Sequence, residues 1–192
     1  MPDPDFSTFP TLTTPRLVLR QIRPEDAADL FAFLSDPEVQ KYDSDPPLRE
    51  MAEAEAEIER RSEWYANRQA ISWGITLKDE NRVVGTIGFY FWDRHYYKTE
   101  LGYTVARPYW RRGIATEAVR AVVRYGFESL RLHRINVDTR MDNLASVQLM
   151  RTLGFIHEGV RRECILSEDG TYQNWGMYGL LEQEYRPENF RV

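Results

Sequence analysis

Two arginines, a glycine and the start of a helix come together in the segment Trp110-Arg111-Arg112-Gly113-Ile114-Ala115-Thr116. The segment follows a strand-like stretch at 100–105 and opens an amphipathic helical pattern. The first N–H groups of a helix have no partner within the helix, and the helix dipole is positive at that end. Arg111 and Arg112 add positive charge, and Gly113 lets a ligand approach the backbone closely. This combination predicts a site for a phosphorylated ligand.

Two common phosphate-binding loops are absent from the chain. The P-loop requires G-x-x-x-x-G-K followed by Ser or Thr, and the sequence contains no such string. The dinucleotide-binding loop requires G-x-G-x-x-G near the start of a strand–helix–strand unit, and this is absent too. The phosphorylated ligand is therefore expected to belong to another class.

Composition favours an enzyme of ordinary size. The chain has 192 residues, 42% of them hydrophobic and 29% charged, which suits one globular domain. A net charge of −5 argues against direct nucleic-acid binding and favours a small, basic substrate. No apolar run reaches the roughly 18 residues of a membrane span, and Met1 to Asp5 lack the features of a secretory signal. With Cys164 as the single cysteine no internal disulfide can form, so we expect Cys164 to be a structural residue and the protein to be cytoplasmic.

Hydrophobic periodicity predicts the elements that position the phosphate segment. Strands are expected at 16–22, 70–77, 82–92, 96–105, 134–140, 155–166 and 172–181, and helices from Pro24, at about 48–67, at 113–130 and at 144–153. The strands at 70–105 form an antiparallel meander, and the strand–helix–strand unit at 96–140 favours a parallel pair. Ser167-Glu168-Asp169-Gly170 reads as a hairpin turn.

These elements predict one α/β (α+β) domain. Its central sheet is mixed but mostly antiparallel, with about seven strands flanked by about four helices. The domain is expected at 15–185, after an N-terminal lead-in at 1–14 and before a C-terminal tail at 186–192.

An ordered set of motifs resembles the GCN5-related N-acetyltransferases (GNAT), and in particular the branch that acetylates the N-termini of ribosomal proteins. The motifs are 12–20, Glu100-Leu101-Gly102-Tyr103, 108–118, Asn143-Leu144-Ala145-Ser146 and Leu153-Gly154-Phe155. The resemblance extends from about residue 12 to residue 185. One departure is Trp110, where many relatives have Gln or Arg; the ribosomal-protein branch often has Trp.

The resemblance implies acetyl-CoA as the acetyl donor. The CoA pyrophosphate would bind the N–H groups of Arg111, Arg112, Gly113, Ile114, Ala115 and Thr116. The pantetheine arm would pair with free backbone groups of Tyr103, Thr104 and Val105. Asn143 would contact the pantetheine or its acetyl end, with Ser146 nearby; the alternative for Asn143 is a helix cap alone.

Acetyl transfer requires a neutral amine, a polarised thioester carbonyl and a protonated leaving thiolate. Glu100 is the candidate base because it lies on the strand beside the expected cofactor cleft; the alternative is a surface residue paired with a neighbouring Lys or Arg. Backbone N–H groups at 101–105 would stabilise the oxyanion. The family often uses a Tyr four residues before the Gly-Phe pair as the acid, but this chain has Met150 there. By analogy with the ribosomal-protein branch, Ser146 is the candidate partner of the thiol.

The acceptor is expected to be a protein N-terminal α-amine, reached by direct transfer in a ternary complex. The alternatives are a small amine (a polyamine, an amino acid or an aminoglycoside) and a non-catalytic CoA-binding sensor. Half of the aromatic cluster at 89–92 and 96–97 should be core, and the rest would line an acceptor groove or a homodimer contact. His95, His133 and His157 have no metal-like spacing, so no metal is expected.

Overall fold

The computed structural model describes residues 6–43, 45–167 and 170–192. Eight strands form one sheet in the order β1-β2-β3-β4-β5-β6-β8-β7. The strands are β1 Leu12–Thr13, β2 Leu17–Gln21, β3 Ile71–Leu77, β4 Val83–Asp93, β5 Lys98–Val105, β6 Arg134–Arg140, β7 Ile156–Leu166 and β8 Tyr172–Leu181. All neighbours are antiparallel except β5 and β6, which are parallel. The predicted meander and the predicted parallel pair are both confirmed.

Five α-helices accompany the sheet in the described residues. They are α1 Ala27–Leu34, α2 Pro37–Gln40, α3 Met51–Ala66, α4 Ile114–Glu128 and α5 Leu144–Thr152. Short 3₁₀ turns at Pro24–Asp26, Arg107–Tyr109, Glu182–Glu184 and Pro187–Phe190 complete the secondary structure. None of the helices in the described ranges has the length and apolar content needed to cross a membrane.

Helices cover both faces of the sheet. On one face α4 and α5 bury the apolar residues that alternate along the central strands, among them Trp73, Phe89 and Ile135. On the other face α1 and α3 pack together around Leu30 and Ile58. The predicted single mixed α/β domain is therefore confirmed. The central strands hold the site residues between these two layers.

Both ends of the predicted domain show more structure than the sequence analysis assigned to them. Leu12 and Thr13, placed in the lead-in, form β1 against β2. In the predicted tail, Phe190 is buried beside α4. A two-residue strand and a single aromatic anchor carry no visible periodicity, which is why neither was predicted. In the predicted hairpin turn, Gly170 N–H donates to the Ser167 carbonyl at 2.9 Å, and residues 168–169 lie outside the described residues.

Candidate active site

The two parallel strands at the centre of the sheet separate part of the way along their length. Pairing between β5 and β6 ends at Glu100 and Asn136, although β5 continues to Val105 and β6 to Arg140. Beyond that point β5 remains paired with β4, and β6 remains paired with β8. Backbone groups of 101–105 that point away from β4 therefore face an open wedge in the sheet. The wedge contains the positions predicted for the pantetheine arm.

The loop at the start of α4 turns through two left-handed residues. Gly113 has φ +74° and Arg111 has φ +58°. Buried Ile114 then anchors the first turn of the helix on the core. Within the described part of the chain, no protein acceptor contacts the backbone N–H groups of 111–116. These donors lie at the positive end of the helix dipole, as the predicted phosphate site requires, and anion binding there stays a prediction.

Trp110 ties this loop to the end of β5. Its indole Nε1–H donates to the carbonyl of Val105 at 2.6 Å. Two residues further on, the guanidinium of Arg112 lies 5.5 Å from the centre of the Tyr109 ring. The departure at Trp110 therefore has a structural reason, since the indole links the wedge to the phosphate loop.

Glu100 faces a depression on the side of the sheet opposite α4. The depression has a volume of about 320 Å³, and its wall includes Asp138 from β6 and Arg161 from β7. Burial, and then the negative charge of Asp138, raise the pKa of Glu100 to about 7, while Arg161 opposes the shift. A carboxyl group with this pKa accepts and releases protons near neutral pH.

The other charged groups that line the depression also form ion pairs, Lys98 with Asp93 outside the depression and the remaining four with one another. Arg161 binds Asp138, and Arg134 binds Glu158. Among the described residues, no ion pair engages Glu100, although a surface ion pair was the alternative considered for it. Glu100, whose pKa suits proton transfer, is therefore also the carboxylate that these ion pairs leave without a positively charged partner.

A buried polar network borders the depression on the side of α3. Tyr90, which is opposite Glu100 on β4, lies over two glycines: a β-carbon would stand 2.8 Å from its Oη at Gly88 and 3.2 Å from its ring at Gly102. Arg61 of α3 donates to Tyr90 Oη at 3.0 Å and also to Ser72 Oγ. Gly88 and Gly102 therefore make room for this tyrosine.

On the opposite face of the sheet, the start of α5 meets the side chain of Tyr103. Tyr103 Oη donates to Ser146 Oγ at 3.0 Å. Ser146 is held by its own backbone N–H, which donates to Asn143 Oδ1 at 3.2 Å, so Asn143 caps α5, and its contact with the cofactor stays a prediction. Burial raises the pKa of Tyr103 to about 12. Two hydroxyl groups are thus brought together beside the wedge.

Three features of this arrangement were missed from the sequence. Tyr103 was assigned a role through its backbone alone, and Asp138 was not considered. A usable signal existed for Tyr103, because residues an odd number apart on a strand point to opposite faces, which separates it from Glu100. The third missed feature is the position of Met150, whose side chain is fully buried in the core.

The remaining candidate groups lie apart from the wedge. His95 packs edge-on against Tyr96, and His157 packs against Tyr178. Cys164 is exposed. The described residues contain no group of three or more His, Cys, Asp or Glu side chains arranged to hold a metal ion.

The aromatic cluster divides between core and surface, but strand alternation does not set the division, because the β4–β5 pairing is irregular after Tyr90 and Phe91 has φ +50°. Phe89 is fully buried, whereas Phe91 is 80% exposed and Tyr96 is 61% exposed at the turn between β4 and β5. Whether this exposed pair contacts an acceptor or a second copy stays a prediction.

Comparisons with known proteins agree with the family resemblance noted in the sequence. A family model described as an acetyltransferase (GNAT) domain matches residues 16–156. The uncharacterized N-acetyltransferase YoaA of Bacillus subtilis (strain 168) is 36% identical, over 91% of this chain and 98% of that protein. The [Ribosomal protein uS5]-alanine N-acetyltransferase of Escherichia coli (strain K12) is 27% identical, over 92% of this chain and 93% of that protein.

A solved structure shares the fold at lower identity. The microcin C7 self-immunity acetyltransferase MccE, in complex with acetyl-CoA and AMP, superposes with a TM-score of 0.79 at 19% identity, covering 88% of this chain and 93% of that chain. The family model and the relative at 36% identity show that the chain belongs to the GNAT family of N-acetyltransferases, and the wedge and the start of α4 agree with this assignment.

Proposed function

We propose that this N-acetyltransferase takes its acetyl group from acetyl-CoA and transfers it directly to the α-amine at a protein N-terminus. The observation that supports the proposal most strongly is the wedge between β5 and β6, which opens beside the uncontacted N–H groups of 111–116. An extended pantetheine arm fits along an unpaired strand edge because it can exchange hydrogen bonds with the backbone. The CoA diphosphate would then lie at the start of α4.

Glu100 would serve as the base on the acceptor side of the wedge. An α-amine has a pKa of about 8, so a carboxylate with a pKa of about 7 can remove its proton, directly or through water, at little free-energy cost. A lysine side chain, with a pKa of about 10.4, would need much more help. The pKa of Glu100 therefore supports an α-amine over a lysine.

Ser146 would contact the sulfur on the other side of the wedge. Because Tyr103 donates to Ser146 Oγ, the hydroxyl hydrogen of Ser146 remains free to point at the thioester sulfur. Tyr103, with a pKa of about 12, is poorly matched as the proton donor to a thiolate whose protonated form has a pKa of about 8.5. Tyr103 would therefore orient Ser146, and the thiolate can take its proton from solvent.

Backbone N–H groups on the open edge of β5 would stabilise the developing oxyanion. They are fixed by the pairing of β5 with β4, so they need no reorganisation during the reaction. The amine approaches the acetyl carbon from the Glu100 face, and the thiol leaves on the Ser146 face. This geometry supports direct transfer in a ternary complex, without an acetyl-enzyme intermediate.

The choice of a protein acceptor is supported by the relative from Escherichia coli, which is named for the acetylation of an alanine of ribosomal protein uS5. A ribosomal-type acceptor would place the reaction in the cytoplasm. The exposed Phe91 and Tyr96 are available to line the path of a peptide, or to form a homodimer contact.

The test measures thiol release from acetyl-CoA with a thiol-reactive dye. The enzyme should carry Cys164→Ser, because Cys164 is exposed and would itself react. We expect release with a peptide that has a free N-terminal amine, and none with the same peptide Nα-acetylated. Release with a polyamine or an aminoglycoside alone would replace the protein acceptor by a small amine. CoA binding without release for any amine would indicate a sensor and contradict the proposal.

A further inference from the structure

The N-terminal motif around Arg16 lies directly against the phosphate loop. Arg16 Nε donates to Glu117 Oε2 at 2.6 Å, and the Arg16 backbone N–H donates to Glu117 Oε1 at 2.9 Å, across 101 residues of sequence. Thr14 Oγ1 donates to the same Oε1 at 2.6 Å. Arg16 Nη1 donates to the carbonyl of Arg112 at 2.8 Å. One arginine therefore holds both the loop and the first turn of α4.

Glu117 creates an electrostatic problem for an anion at this helix end. Burial raises the pKa of Glu117, but hydrogen bonds from Thr14 and Arg16 outweigh burial and lower it, so the side chain is ionised at neutral pH. A carboxylate in the first turn stabilises the helix, yet it also repels a diphosphate at the same helix end. The Arg16 guanidinium compensates this charge at contact distance.

The third guanidinium nitrogen of Arg16 faces the glycine of the loop. Arg16 Nη2 lies 3.3 Å from the position that a β-carbon on Gly113 would occupy. Among the described residues it has no hydrogen-bond acceptor, whereas Nε and Nη1 each have one. The side chain as a whole is 50% exposed. A guanidinium held at two nitrogens presents the third in a fixed direction.

We propose that Arg16 is a ligand of the CoA diphosphate. Its Nη2 donates to a phosphate oxygen beside Gly113, while its Nε and Nη1 hold Glu117 and the loop. The inference rests on the proposed use of CoA, and it gives the N-terminal motif a role in binding the cofactor. The Arg16 guanidinium that neutralises Glu117 then also binds the CoA diphosphate.

The experiment is calorimetric titration of CoA into the wild type, R16Q, E117Q and the double variant. We expect R16Q to weaken CoA binding by about tenfold to a hundredfold, the range of one charge-assisted hydrogen bond. If Arg16 contacts the phosphate, R16Q weakens binding by a similar factor in the E117Q background. Full recovery of affinity in the double variant would show that Arg16 only screens Glu117, and would overturn the proposal.

Two further variants control for loss of structure. Arg124 has an exposure similar to that of Arg16 and pairs with Glu128 on the same helix, so R124Q removes an arginine–glutamate pair away from the loop and should leave CoA affinity within twofold. R16K keeps the charge but cannot serve three acceptors, so we expect CoA binding at least threefold weaker with an unchanged melting temperature. Wild-type affinity in R16K would contradict the proposal even if R16Q fails to fold.

The wild-type titration distinguishes failure of the proposed function from failure of the role of Arg16. If the wild type does not bind CoA, the proposed function itself fails. If the wild type binds CoA and R16Q binds it equally well, only the role of Arg16 is overturned.

Discussion

Glu100 and Ser146 lie on opposite faces of the sheet, with the wedge between them. Glu100 has a raised pKa because it is buried beside Asp138, and Ser146 has a free hydroxyl hydrogen because Tyr103 donates to its oxygen. At the scale of single residues, the site therefore separates a group suited to taking a proton from a group suited to contacting the sulfur.

Replacing Glu100 by Gln should lower kcat by about 10²- to 10⁴-fold, the usual contribution of a positioned base. Glu100 accepts a proton only when ionised, so wild-type kcat should fall as the pH drops below about 7, and this fall should disappear in E100Q. The measurement is kcat against pH at saturating substrates. CoA affinity should be unchanged; an unaltered kcat in E100Q would show that Glu100 is not the base.

The pH at which kcat falls should depend on Asp138. Its negative charge raises the pKa of Glu100, so D138N should move the fall in kcat to lower pH. The same titration measures the shift. If the fall in kcat moves to higher pH or does not move, it cannot be assigned to the ionisation of Glu100.

The hydroxyl pair can be tested with a double-mutant cycle. Y103F and S146A should each lower kcat, because S146A removes the contact with the sulfur and Y103F removes the hydrogen bond that orients Ser146. If Tyr103 acts through Ser146, then Y103F should have no further effect in the S146A background. Independent, additive losses in kcat would mean that Tyr103 acts by another route.

At the scale of elements, the sequence predicted most of what positions the site. Alternation located β2 to β8, and the amphipathic pattern that begins at the phosphate segment located α4. The parallel pairing of β5 and β6 followed from the length of the connecting helix. What periodicity does not reveal is the residue at which two paired strands separate, so the wedge was expected only through the family resemblance.

Long-range contacts between polar groups were beyond sequence reasoning for a related reason. Tyr103 meets Ser146 across 43 residues, and Arg16 meets Glu117 across 101. Neither pair shows in local patterns, because side-chain contacts between distant elements depend on how those elements pack. Asp138 is a similar case, since its influence on Glu100 arises from the neighbouring strand.

The loop before α4 gives the element-scale prediction. Gly113 and Gly154 both have positive φ, at +74° and +86°. A β-carbon would meet Arg16 Nη2 at Gly113 but nothing within 4 Å at Gly154. Both G113A and G154A should therefore lose about 1 kcal/mol of unfolding free energy through backbone strain, measured by denaturant titration.

Only G113A should also weaken CoA binding, by about tenfold or more, because the added carbon lies where the phosphate must approach. G154A is thus the matched control. Equal CoA affinity in the two variants would place the diphosphate elsewhere.

At the scale of the whole molecule, the proposed mechanism divides the reaction between the two faces of the sheet. The layer of α4 and α5 supplies the phosphate loop and Ser146, and the depression on the opposite face supplies Glu100. The wedge connects the two faces. A donor that lies in the wedge can therefore be reached by an amine from one side and lose its thiol on the other.

The most direct test of this account is a crystal structure of the protein with bound CoA. We expect the diphosphate at the N–H groups of 111–116, the pantetheine arm paired with the backbone of 103–105, and the sulfur within hydrogen-bonding distance of Ser146 Oγ. CoA bound outside the wedge, or with its diphosphate away from the start of α4, would contradict the account.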